Sequence, residues 1–383
     1  MDQEFELEVQ RIRVLRVMAR FNLGGPALQI TSLMTHLDQN LFEQRLVVGQ
    51  CAEDEIDYSE VKKLGFEIQR NRYLGRRVNI LSDFRALMGI VRIYYQFKPD
   101  IVHSHTAKAG VICRVARLFY FRKLNLVHTY HGHLLFGYFN KSKTNLVILL
   151  ERLLATYTKR LVTVGSRVKK DLVAAGIAGS SKFIVIPPGI DFEDTSSKQI
   201  RQIRKLNSPL RIGFVGRVTR IKRPDKFLAI AEALKSKVAN IEFYVAGDGV
   251  LLEDMKAAAQ SKSLHINFLG WVGNVEKLFQ ELDLIILTSD NEGTPISIIQ
   301  AAAQGCIALS TDVGSVEDVL QHGETGFLCN DTHEFAERIE KLHKEPELLQ
   351  RMQQSAQEFA LKNFTGVSLA QNHEKLYLSM IHF

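Results

Sequence analysis

Two basic side chains five residues apart, Arg217 and Lys222, stand in the segment GRVTRIKRPD just after an apolar run that ends at Gly216. An arginine fork beside a lysine point charge can grip a diphosphate and stabilise the charge that develops on a leaving phosphate. Further along, Glu292-Gly293-Thr294-Pro295 makes an acidic turn leading into a helical pattern. The free N–H groups at such a helix start can donate to a phosphate or to a sugar hydroxyl. Joined, the two segments read as a pocket for a nucleotide diphosphate-sugar. In the first half of the chain, Gly24-Gly25 lies between an apolar run and a helical stretch, where bare backbone can approach a phosphate closely. Five histidines follow two other apolar runs, as His103-x-His105 and His128-x-x-His131-x-His133. The HxH spacing invites zinc, but no acidic or cysteine ligand accompanies it, so no metal is expected. Histidines hydrogen-bonded at a sheet edge satisfy the pattern too.

These groups need elements to hold them. RIRVLRVMAR, QRLVVGQ, PDIVHSH, LNLVHTYHG, LVTVGS and FIVIPPGID are short apolar runs, most of them followed by a helical stretch. The alternation restarts after about residue 205 with LRIGFVGR, IEFYVAGDG, INFLGWV, LDLIILTS and CIALSTD. Short buried strands alternating with helices mean parallel sheet. The expected architecture is α/β: two Rossmann-like, doubly wound parallel-sheet domains facing across a cleft, joined near residues 190 to 209, with ligands at the carboxyl ends of the strands. The expected boundaries are 1–195 and 205–365, with 366–383 crossing back to the first domain. The chain length of 383 residues fits two cores.

Charge is unevenly shared. Residues 1 to 200 carry 29 Lys/Arg against 19 Asp/Glu, and the rest 20 against 23. Residues 101 to 170 hold 13 basic residues against the single acid Glu151, with aromatics interleaved in VARLFYFRK. Such a basic, aromatic face attracts anionic lipid, and Arg114, Arg117, Arg122 and Lys123 are its expected membrane-facing cations. No recognisable nucleic-acid-binding signature accompanies the charge, so nucleic acid is not an expected partner. The acidic start MDQEFELEVQ lacks the pattern of a secretory signal, no run is long enough to span a membrane, and four scattered cysteines suggest no disulfide framework. A cytoplasmic protein, peripheral on the inner face of the membrane, is expected.

Taken in order, GR…K, PPGID (Pro187 to Asp191), AGDG (Ala246 to Gly249), EGTP, TDVGS and ETGFL make nearly the whole chain resemble the retaining glycosyltransferases of family 4, with the GT-B fold. The resemblance implies that Arg217 and Lys222 grip the donor diphosphate, that Glu292 contacts the donor sugar, and that His131 reaches the sugar near its reacting carbon. It places Gly24, Gly25, Gly216, Gly293, Thr294, Pro295 and Gln300 around the donor, and His133 toward the acceptor. Gln300 departs from the family pattern, which has a second glutamate there for the ribose; an amide offers one acceptor and two donors.

The activity implied is transfer of a sugar, with retention and without a metal or other cofactor, from a nucleotide diphosphate, UDP first, to a hydroxyl of a glycan or polyprenyl-linked acceptor in cell-surface polysaccharide synthesis. Two other readings stay open: a non-catalytic nucleotide-sugar or glycan binder, motivated by Gln300, and a nucleotide-sugar epimerase of the same fold.

Overall fold

The computed structural model describes residues 11–53, 55–132, 141–192 and 208–381. The chain divides into two compact units, residues 1–190 together with 366–383, and residues 191–365.

The first unit is built on a seven-stranded parallel sheet: β1 (Ile12–Met18), β2 (Phe42–Val48), β3 (Ile68–Arg70), β4 (Ile101–His105), β5 (Asn125–Tyr130), β6 (Arg160–Thr163) and β7 (Phe183–Val185). Its spatial order is β3-β2-β1-β4-β5-β6-β7. The central strands are buried along nearly their whole length because helices cover both faces, so they read as runs rather than as alternations. The chain's last long helix, Gly366–Leu378, packs on the helix Gly25–His36. Its Leu369, Leu376 and Tyr377 share one core with Val14, Leu33, Leu37 and Ile101.

The second unit repeats the plan with six parallel strands: β8 (Leu210–Val215), β9 (Ile241–Ala246), β10 (Ile266–Gly270), β11 (Leu284–Leu287), β12 (Ile307–Thr311) and β13 (Gly326–Cys329), in the order β10-β9-β8-β11-β12-β13. Both sheets are doubly wound, as the apolar rhythm predicts. In each, the winding reverses beside the unit's first strand, between β1 and β4 and between β8 and β11. At such a point the loops leaving the two carboxyl ends diverge and open a crevice.

One expectation fails. Arg114 does not face outward. It is 1% exposed, and its guanidinium donates to Glu151 through Nη1 at 2.9 Å and Nη2 at 3.0 Å. Its Nε donates to the carbonyl of Gly110 at 2.8 Å, and the hydroxyl of Tyr130 donates to the same Glu151. A buried charge must be paired, and the single acid of the basic stretch is spent on this pairing. Arg122 and Lys123 are exposed, Arg117 is half-buried, and the apolar side chains beside them stand out: Leu118, Phe119 and, 88% exposed, Phe121.

Candidate active site

In the second unit the loop after β8 and the loop after β11 meet at the winding reversal. The first carries Gly216, Arg217 and Lys222; the second carries Thr288, Ser289, Asp290 and Glu292. Their backbones are tied together. The Thr288 hydroxyl donates to the carbonyls of Lys222 and Arg223, each at 2.9 Å, and the Asp290 amide donates to the carbonyl of Ile221. Asp290 also pairs with Arg223 at 3.0 Å and Lys226 at 3.2 Å. These contacts fix where Lys222 projects: its ammonium donates to Glu292 Oε1, which also accepts from the Ser289 hydroxyl at 2.6 Å. Glu292 is thereby held at one oxygen. Arg217 is exposed and forms no ion pair among the described residues.

A third loop braces the second. Gly314, in the TDVGS segment, lies at φ 55°, and a Cβ there would fall 1.8 Å from the carbonyl oxygen of Glu292. The neighbouring Ser315 amide donates to the carbonyl of Gly293 at 2.8 Å, and the Thr311 hydroxyl to that of Ser289 at 2.7 Å. The glycine is therefore there for close approach and left-handed backbone, not for motion. Gly247 of AGDG does the same for the β8 loop: a Cβ would lie 2.0 Å from the carbonyl oxygen of Gly216.

Beyond Glu292, Pro295 precedes the helix Ile296–Ala303 and supplies no side-chain cap. Its first N–H groups carry the partial positive charge of a helix start. A free guanidinium, an ammonium bridged to a carboxylate and an uncapped helix start thus belong to loops at one sheet edge. That set suits an anion with a sugar attached. Gly293, Thr294 and Pro295 form the turn itself, and Gln300 lies one turn into the helix, buried.

In the first unit, Gly24 precedes the helix Gly25–His36 as its cap residue, again without a side-chain cap, and a Cβ at Gly24 would point into open space. His131 follows β5, half-buried, and its Nε2 lies 3.1 Å from Nδ1 of His105 at the end of β4. Burial pulls the His131 pKa down to about 4, so its ring is neutral at pH 7. His103 stacks on His105, with ring centroids 4.2 Å apart, and hydrogen-bonds Tyr377 at 2.6 Å and Thr129 at 2.7 Å. His128 points to the other side of the sheet, 3.0 Å from the Ser104 hydroxyl. His103, His105 and His128 thus lie within β4 and β5 rather than after them, and the histidines divide into a structural set, His103 and His128, and one pair at the sheet end, His105 and His131. His133 lies outside the described residues. The sequence pattern does not single out His105 as the partner of His131, nor Ser289 as that of Glu292; their only signal is a position at a strand's carboxyl end.

Known proteins resemble this chain over most of its length. The family model described as Glycosyltransferase Family 4 matches residues 23–194, and the one described as Glycosyl transferases group 1 matches residues 196–359. A UDP-Gal:alpha-D-GlcNAc-diphosphoundecaprenol alpha-1,3-galactosyltransferase of Escherichia coli is 25% identical over 329 residues, 80% of this chain and 82% of its own. The capsular polysaccharide biosynthesis glycosyltransferase CapM of Staphylococcus aureus is 23% identical over 342 residues, 84% and 87% of the two chains. Among solved structures, Anabaena HepE in complex with UDP and glucose superposes with a TM-score of 0.77 at 18% identity, covering 96% of this chain and all of that one. Two family models that follow each other across residues 23–359, on two doubly wound domains, leave one assignment: this chain belongs to the group 1, family 4 glycosyltransferases and is a glycosyltransferase of the GT-B fold.

Proposed function

We propose that the protein transfers a sugar from a UDP-sugar, with retention of anomeric configuration and without a metal ion, to a hydroxyl of a lipid-linked glycan in polysaccharide synthesis. The observation that carries this reading is the group at the edge of the second sheet: the unpaired Arg217, Lys222 bridged to Glu292, and the uncapped helix start at Ile296. Relatives that build diphosphoundecaprenol-linked or capsular glycans support the acceptor class, and a structural neighbour that holds UDP supports the donor.

In this reading the anomeric C–O bond to the diphosphate breaks and a bond to the acceptor oxygen forms on the same face. The leaving diphosphate takes the acceptor's proton. Arg217 and Lys222 stabilise the charge left on the diphosphate, as a divalent cation would elsewhere. Glu292, held by Lys222 and Ser289, directs its remaining oxygen to a sugar hydroxyl. In the first unit His131, neutral at pH 7, is a hydrogen-bonding group rather than a cation and Gly24-Gly25 presents bare backbone, which suits the roles toward sugar and phosphate that the family resemblance implies for them. The protein's task is positioning and charge stabilisation.

Exposed Phe121, Leu118 and Phe119 beside Arg122 and Lys123 suit an anionic membrane surface, the cytoplasmic face being where a nucleotide-linked donor meets a lipid-linked acceptor. No helix among the described residues is long and apolar enough to cross a membrane.

The test is thermal stabilisation by nucleotides and nucleotide sugars in EDTA, followed by NMR of the product's anomeric configuration. Stabilisation by UDP or a UDP-sugar and a retained configuration are expected. No stabilisation by any nucleotide diphosphate, or an inverted product, would overturn the reading.

A further inference from the structure

Gln300 stands where the resembled family has a glutamate, and the structure shows what it does instead. Its Nε2 donates to Oε1 of Glu276 at 3.2 Å. One turn further along both helices, Gln280 Nε2 donates to Gln304 Oε1 at 2.9 Å. The helices Val275–Glu281 and Ile296–Ala303 are thus joined by two rungs, 276 to 300 and 280 to 304. The first helix runs from β10 to β11 and the second from β11 to β12, in a wholly parallel sheet, so both have their amino ends at the carboxyl edge. Of the two rungs, Glu276–Gln300 lies nearer that edge, on the side of the turn that carries Glu292.

The rungs differ in chemistry. Gln280–Gln304 is neutral and joins the helices without a charge. Glu276–Gln300 brings a charge. Glu276 is half-buried in the first turn of its helix, where the dipole favours an anion, and it forms no ion pair among the described residues. The buried amide occupies one of its oxygens. A carboxylate accepts at two oxygens and about four lone-pair sites, so the group retains capacity for donors arriving from solvent. A pair of adjacent hydroxyls matches that capacity, and a carboxylate at the carboxyl edge of a doubly wound sheet is a general solution for ribose.

The geometry points to Glu276 as the residue that accepts hydrogen bonds from the two ribose hydroxyls of the nucleoside diphosphate, with Gln300 as its positioning residue. The carboxylate is not missing from this site; it has moved to the facing helix, 24 positions earlier, and the amide at 300 orients it. This inference rests on the donor-binding reading above and adds the residue that recognises the ribose.

The experiment compares the affinity of UDP, GDP and ADP with that of their 2′,3′-dideoxy forms, by calorimetry in EDTA, for the wild-type protein and for Glu276→Gln, Gln300→Glu and the double exchange. For the diphosphate that binds, removal of both hydroxyls is expected to weaken wild-type binding tenfold or more. Glu276→Gln should lose about as much for the ribose form and almost nothing for the dideoxy form. Gln300→Glu alone sets two carboxylates against each other and should not tighten binding, whereas the double exchange restores the carboxylate–amide pair in mirror order and should return affinity to within about threefold. A dideoxy preference lost on Glu276→Gln cannot arise from a misfolded helix pair, since the dideoxy ligand reports the intact pocket. If the wild type binds a diphosphate and Glu276→Gln binds both forms as the wild type does, or loses affinity equally for both, Glu276 is not the ribose ligand. A tenfold gain in Gln300→Glu alone would overturn the pairing. If no diphosphate binds the wild type, the donor-binding reading fails and this inference with it.

Discussion

In the proposed function Lys222 connects two tasks, because the ammonium that holds Glu292 is also the one assigned to the charge on the leaving diphosphate. Lys222→Ala should therefore reduce kcat by roughly 10²- to 10³-fold, the scale of about 3 to 4 kcal/mol for a deleted oxyanion donor, in a steady-state transfer assay. Arg217, exposed and unpaired, should act differently: its replacement by alanine weakens UDP binding with little change in thermal stability. Arg114 shows why charge counted along a sequence misleads. Its sign was legible in the composition, but its partner Glu151 lies 37 positions away and meets it only after helix and sheet have packed. Arg114→Met should not change liposome binding but should destabilise the fold by about 3 to 5 kcal/mol in urea unfolding, the cost of leaving a buried carboxylate unpaired. The same holds for Gln300, whose meaning depends on Glu276. Spacing identifies partners three or four residues apart on one helix; it is blind to partners on facing helices.

Strands and helices follow the apolar rhythm closely where the sheet is central. β1, β4, β5, β8 and β11 coincide with the apolar runs, since strands covered on both faces need no solvent-facing alternate positions. The edge strands β3 and β13 were not legible. Ile68–Arg70 has only three residues, two of them exposed polar, and Gly326–Cys329 opens on a glycine. An edge strand has a single neighbour and needs less apolar sequence to stay in place. The loops follow another logic, in which backbone proximity decides. Gly314→Ala places a methyl group against the Glu292 carbonyl and demands a left-handed alanine, a cost of about 1 to 2 kcal/mol before the clash is relieved. Displacement of the EGTP turn should then lower kcat/KM far more than it lowers Tm.

At the scale of the whole molecule, the first unit carries a pH liability. Half-buried His131 and buried His373 have pKa values pulled down by desolvation to about 4 and about 3, and burial also holds His103, His105 and His128 well below the usual range. Unfolding returns each ring to a pKa near 6.5. Because the unfolded chain then binds more protons, the stabilising contribution is complete above about pH 6.5 and is lost as pH falls toward 4. At pH 5 the loss is on the order of 2 kcal/mol for each of His131 and His373. Differential scanning calorimetry from pH 7.5 to 5 should show the unfolding transition of the first unit moving to lower temperature. The surface proposed to face the membrane belongs to the same unit, and binding to anionic vesicles should fall with added salt and on neutralising Arg122 and Lys123 together.

The return of the final helix to the first unit has a consequence in time. The chain leaves that unit at Ile190 and re-enters at Gly366, where the Gly366 amide donates to the Ile190 carbonyl at 3.0 Å. At about 5 to 20 residues per second of synthesis, the 176 positions from Ile190 to Gly366 take roughly 10 to 35 s to emerge. During that interval Leu33 and Leu37 lack the cover of Leu369 and Leu376, while the second unit, continuous in sequence, receives all its strands. The nascent protein therefore completes its second half first, and its first half waits, an apolar groove open to chaperones, until the last helix leaves the ribosome.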